Sequence, residues 1–114
     1  MKIMAKINPD MVANNLVPFR PVHPGVVLKE ELKSRRISQR SFARQMGVPV
    51  SQLNEILNGK RPLSAEYALM IEALLGISAV PLLRMQTDYD LQTAKEDETF
   101  IEKLKGLAAV AAAL

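Results

Sequence analysis

The chain has 114 residues, 48% of them apolar and 24% charged, the proportions of one ordinary globular domain rather than of a disordered chain. With no cysteine and a single histidine, disulfides, a thiolate nucleophile and a zinc finger are excluded, His23 is expected to be structural, and neither metal nor cofactor is expected. The net charge of +3 is unevenly spread: residues 20–62 carry nine basic and three acidic side chains, whereas residues 63–114 carry four and eight.

A basic half followed by an acidic half suits a polyanion-binding module with a separate second surface. No run approaches the roughly 18 apolar residues of a membrane span, and the opening MKIMAKINPDM lacks the apolar core of a signal peptide, so a cytoplasmic location away from membranes is expected.

In chain order, residues 1–22 hold Pro9, Pro18 and Pro21 and read as an arm with little regular structure. Met4, Ile7, Met11, Val12, Leu16, Val17 and Phe19 are too many apolar side chains for a free tail, so part of the arm is expected to pack on the domain or a partner. Pro24 suits a first helical position, and Val27, Leu28 and Leu32 recur before Arg35-Arg36, giving helix one. Ser38 is a suitable N-cap for helix two, with Phe42, Ala43 and Met46 at helical spacing until Gly47. Val48 begins a turn, Pro49 restarts the chain, and Leu53, Ile56 and Leu57 form the stripe of helix three, which ends at Asn58-Gly59. Lys60-Arg61-Pro62-Leu63 reads as an exposed basic loop.

Ser64 opens helix four, with the stripe Ala68, Ile71, Leu74 and Leu75 ending at Gly76. Ser78 is expected to cap a fifth helix carrying Leu82, Leu83, Gln86, Tyr89 and Leu91 to about Ala94, with Pro81 tolerated in its first turn. A sixth follows, with Asp97, Glu98 and Glu102 near its positive end and Phe100, Ile101, Leu104, Leu107, Ala108 and Ala111 along one side. Gly106 is expected to interrupt it. Its alanine-rich end is either a frayed tail or a contact for a second copy or a partner.

Residues 38–59 place two helices of about two turns on either side of one glycine, the pattern of a helix-turn-helix. Ala43 is small enough for the helices to cross closely, and Gly47 takes a left-handed conformation readily. The apolar positions fit an ordinary αα-corner equally well. Gln39, Arg40, Ser51, Gln52, Asn54 and Glu55 favour DNA reading, because they put hydrogen-bonding side chains at the starts of the two helices.

Residues 22–94 resemble the HigA-type antitoxin branch of the Xre-like, lambda-repressor-like helix-turn-helix family. The resemblance rests on His23-Pro24-Gly25 with Val27-Leu28-Lys29-Glu30-Glu31-Leu32, on Ile37-Ser38-Gln39, on Ala43 and Gly47, on Leu57-Asn58-Gly59-Lys60-Arg61-Pro62, and on Tyr89-Asp90-Leu91. It implies an all-α, five-helix DNA-binding domain over residues 23–94; the arm (1–22) and the extra C-terminal helix (95–114) fall outside the resemblance and are read from the residues alone. It also implies a homodimer that binds double-stranded operator DNA, neutralises a HigB-like RNase toxin and represses its own operon.

By the same resemblance the start of helix three enters the major groove, with Val50 against a thymine methyl and Ser51, Gln52, Asn54 and Glu55 facing base edges. Gln39, Arg40, Lys60 and Arg61 then lie beside phosphates. Glu55 has an alternative as a surface charge paired with Arg40 or Lys60. The family usually has serine or threonine before a proline at the start of helix three; here Pro49 itself holds the capping position, which weakens the cap. A regulator or phage-type repressor without a toxin is the alternative function. An enzyme ranks last, since Glu30-Glu31 and Asp88/Asp90 have no spacing that recommends a catalytic pair.

Overall fold

A computed structural model describes residues 20–114; the expectation of an arm over residues 1–22 therefore falls almost wholly outside the described residues. The described part is all helical: α1 (Pro24–Ser34), α2 (Gln39–Met46), α3 (Val50–Leu57), α4 (Ala65–Leu75), α5 (Ala79–Lys95) and α6 (Glu98–Ala113).

Each helix starts and stops for a local reason. His23 caps α1: its side chain accepts from the Gly25 N–H, and Pro24 fills the first turn, where a missing amide costs nothing. The other end closes with the Ile37 N–H on the Leu32 carbonyl (2.9 Å) and the Arg36 N–H on that of Lys33 (3.0 Å). That closure holds Arg36 at φ 60°, left-handed without being glycine. Ser38 and Ser64 cap α2 and α4 as expected, accepting from Ser41 and Tyr67 amides. Gly47 (φ 72°) and Gly76 (φ 75°) end those helices left-handed.

Several expectations need correction, among them Leu91, placed on the apolar stripe of α5 but exposed. Ser78 sits at the N-cap of α5 but makes no cap bond with its side chain; Glu72, one helix back, takes the Ala79 N–H instead at 2.8 Å. Val27 and Leu74 are exposed, because Leu28 with Leu32 and Ala68 with Ile71 and Leu75 already define the buried faces of α1 and α4. Leu63 is buried, so only Lys60, Arg61 and Pro62 make the exposed loop. Gly106 does not interrupt α6, which runs through to Ala113, since one glycine costs about 1 kcal/mol in a run otherwise rich in alanine.

The core lies around α3, whose Leu53, Ile56 and Leu57 are almost inaccessible to solvent. Helix α2 packs on α3 through Phe42 and the small Ala43, α1 packs on α3 and α5, and α4 packs on α5. A β-carbon on Gly25 would stand 2.0 Å from the Ile56 carbonyl oxygen, so only glycine allows α1 this close to the end of α3. Each large core side chain contributes about 1.5–3 kcal/mol by its burial. Helix α6 packs on α5 and buries no residue of its own.

Candidate nucleic-acid interface

Helix α3 turns Leu53, Ile56 and Leu57 inward, so Ser51 and Glu55, one turn apart, point outward, with Asn54 and Gln52 at the two edges of the exposed face. The edges are tied differently. Asn54 donates to the Gln39 side-chain oxygen (2.9 Å) and accepts from Asn58 (3.1 Å), while Lys29 donates to Asn58 Oδ1 (2.8 Å). One polar chain thus runs from α2 across α3 to α1. At the other edge, Gln52 Oε1 accepts from the Tyr67 hydroxyl of α4 at 2.7 Å.

Glu55 pairs with neither Arg40 nor Lys60. Its carboxylate takes the Arg61 guanidinium at 2.8 Å, with both side chains nearly half exposed, a pair worth about 0–1 kcal/mol that a phosphate can replace. Arg40, Ser51 and Lys60 make no side-chain hydrogen bond to another described side chain, and Val50 is exposed. The structure therefore brings Gln39 to Asn54 and Glu55 to Arg61, and leaves Arg40, Val50, Ser51 and Lys60 open to solvent. Pro49 offers α3 no side-chain cap, so the Val50 and Ser51 amides keep the positive end of the helix uncovered.

Sequence reasoning left His23 as merely structural, yet it is a junction. The residue is 4% exposed. Its Nδ1 accepts from Gly25 N–H (2.9 Å), so the proton sits on Nε2, which donates to the Arg61 carbonyl (3.1 Å). The Tyr89 ring meets it edge to face, centroids 5.1 Å apart. Burial pushes the His23 pKa below the ordinary 6.5, while the Arg61 carbonyl and the Asp90 charge pull the other way. HPG, NGKRP and YDL, far apart in the chain, thus converge on one place. No local spacing signals this; a histidine before proline and glycine at a helix start is its only trace.

Chemically the surface offers amides, hydroxyls and cations for polyanion recognition. Among the described residues no three acidic or histidine side chains gather as a metal site, and no helix is long and apolar enough to cross a membrane.

The helix-turn-helix family model HTH_3 matches residues 28–82. Virulence-associated protein I of Dichelobacter nodosus is 38% identical over 81 residues, covering 70% of this chain and 75% of that protein. A HigA-family addiction module antidote protein from Coxiella burnetii superposes with a TM-score of 0.64 at 34% identity, over 75% of this chain and 95% of that one. The antitoxin HigA of Pseudomonas aeruginosa, solved with the higBA promoter, gives 0.62 at 34% identity over 66% and 83%.

Proposed function

The chain belongs to the HigA-type branch of the Xre-like helix-turn-helix family, and on that premise we propose that it is a homodimeric antitoxin. In this reading it docks α3 in the major groove of its own operator and binds and neutralises a HigB-like RNase toxin. The outward face of α3 carries the DNA half of the reading: Ser51 and Glu55 project from a short, uncapped helix whose far end leads into the basic loop. Val50 meets a thymine methyl; Ser51, Gln52, Asn54 and Glu55 face base edges; Gln39, Arg40, Lys60 and Arg61 lie along phosphates. Because Gln52 gives its carbonyl oxygen to Tyr67, its free amide is a donor, suited to guanine O6 or thymine O4. Bidentate pairing with adenine uses the second lone pair of that same oxygen, with Tyr67 holding the first.

Residues 23–94 are the DNA-binding unit in this reading, with the arm (1–22) and the extension (95–114) left for partners. One eight-residue reading helix touches few bases, so two half-sites in a dimer supply operator affinity. The likeness to antitoxins and the excess acidic charge of residues 63–114 support the toxin half, since an RNase must present positive charge to RNA.

Binding isotherms on an operator duplex and a scrambled one, at several salt concentrations, test the DNA half. Gln52→Ala is expected to cost roughly 1–3 kcal/mol on the operator alone. Lys60→Ala should weaken both duplexes and reduce the salt slope by about 0.9. Equal affinity for both duplexes in the parent protein would refute sequence-specific binding. Growth arrest by the neighbouring gene product that this protein never relieves would favour the regulator without a toxin.

A further inference from the structure

The basic loop is short and exposed, yet its backbone is gripped from behind at two points. The Arg61 carbonyl accepts from His23 Nε2, 38 residues away. The Leu63 N–H donates to Gln86 Oε1 at 2.8 Å, 23 residues away. Pro62 lies between and has no amide to bond. Gln86 is itself 6% exposed and is oriented by Asp90, whose Oδ1 accepts from its Nε2 at 2.9 Å. Gly59 closes the near side: a β-carbon there would meet the His23 ring at 3.6 Å.

We propose that His23 and Gln86 are positioning residues for DNA binding: buried in α1's cap and in α5, they fix the loop backbone so that Lys60 and Arg61 are presented to phosphates already ordered. The inference rests on the reading of Lys60 and Arg61 as phosphate contacts. Its physical basis is preorganisation, because ordering a loop residue only when DNA arrives would subtract that conformational cost from affinity. A purely structural role makes a different prediction: losing either bond would lower stability and leave DNA affinity unchanged wherever the protein is folded.

Two substitutions separate these roles. His23→Asn keeps a cap acceptor for Gly25 but cannot reach the Arg61 carbonyl, and Gln86→Met fills the same space without an acceptor for Leu63. Binding is measured where circular dichroism shows each variant fully folded. Each is expected to weaken operator and scrambled duplex alike by about tenfold, yet by less than twofold in a Lys60→Ala/Arg61→Ala background. Loss of affinity in that background as large as in the parent overturns the inference, as does no loss in the parent. If Lys60→Ala/Arg61→Ala itself leaves affinity unchanged, the phosphate-contact reading fails first and takes the inference with it. Backbone relaxation of the unsubstituted protein needs no variant: amides at 59–61 and 63 should be as ordered as those of α3, with order parameters near 0.85, and a mobile loop overturns the proposal.

Discussion

The basic loop Lys60–Pro62 and helix α6 are both exposed, but opposite kinds of interaction hold them. The loop has almost no regular structure of its own; the Lys60 N–H bonds the Glu55 carbonyl at 2.8 Å, and beyond Lys60 the backbone is held by side chains 38 and 23 residues away. Helix α6 is 16 residues of regular helix with an Asp97 cap, and it buries none of them. Local propensity makes α6 a helix, whereas tertiary bonds make the loop a fixed shape. Regular secondary structure is therefore a poor guide to which exposed segment is built into the domain.

The largest test of this contrast uses one residue type in two places. Phe42 is 2% exposed and Phe100 is 40% exposed. Phe42→Ala should cost about 3–5 kcal/mol by lost burial and the cavity left behind, while Phe100→Ala should cost about 0.5 kcal/mol or less, as at most surface sites. Urea unfolding of both variants measures the difference. Similar losses would mean that α6 is part of the core.

The same contrast explains what the sequence made legible. Ser38, Ser64, Gly47 and Gly76 act within their own turns, so caps and ends were readable, as were Phe42, Ala43 and Met46 from their spacing. What escaped depends on residues distant in sequence or on choices between neighbours. Glu72 caps α5 in place of Ser78 from one helix away. Glu55 takes Arg61 rather than Arg40 or Lys60 because the chain folds back after Gly59. The Gln52 and Asn54 partners lie on other helices, so residue type could nominate the reading face but not say which hydrogen-bonding groups on it remain unused.

A smaller effect isolates backbone strain from tertiary grip. Arg36 holds the left-handed position that glycine fills after α2 and α4, at φ 60°. Arg36→Gly removes about 1 kcal/mol of steric cost, offset in part by a more flexible unfolded chain. The expected outcome is a net gain of up to about 0.5 kcal/mol, or a melting temperature higher by roughly 2–4 °C. A loss would show that the Arg36 side chain makes a contribution larger than its strain.

Protonation of His23 has a pH signature at the α1 cap: the added proton takes Nδ1, which accepts from Gly25, and leaves the Nε2–H bond to the loop in place. Burial holds the folded-state pKa of His23 below 6.5, so the unfolded chain binds the extra proton first as pH falls. Stability contributed by neutral His23 is then complete above pH 6.5 and is lost on acidification towards its folded-state pKa. The groups facing it are Tyr89 and Asp90 from α5 and the Arg61 carbonyl from the loop. Unfolding midpoints just below 6.5 should fall in the parent protein and stay flatter in His23→Asn; parallel curves would show that another group titrates there.

The most direct test of α6 is its removal. Ending the chain at Glu96 removes the Asp97 cap and all of α6 while keeping α5 and the Arg20–Glu96 ion pair. If α1–α5 form the cooperative unit, unfolding should stay a single transition within about 1 kcal/mol of the full chain, although the helical signal drops by the 16 residues of α6. The apolar side chains Phe100, Leu104 and Leu107 are exposed on α6, so the mass in solution is the second readout. Light scattering that moves from dimer to monomer on truncation would locate the proposed dimer contact on α6, whereas an unchanged dimer would locate it within α1–α5. A loss of stability above about 2 kcal/mol with mass unchanged would contradict the division at residue 95, because it would show that packing on α5 integrates α6 despite its exposure.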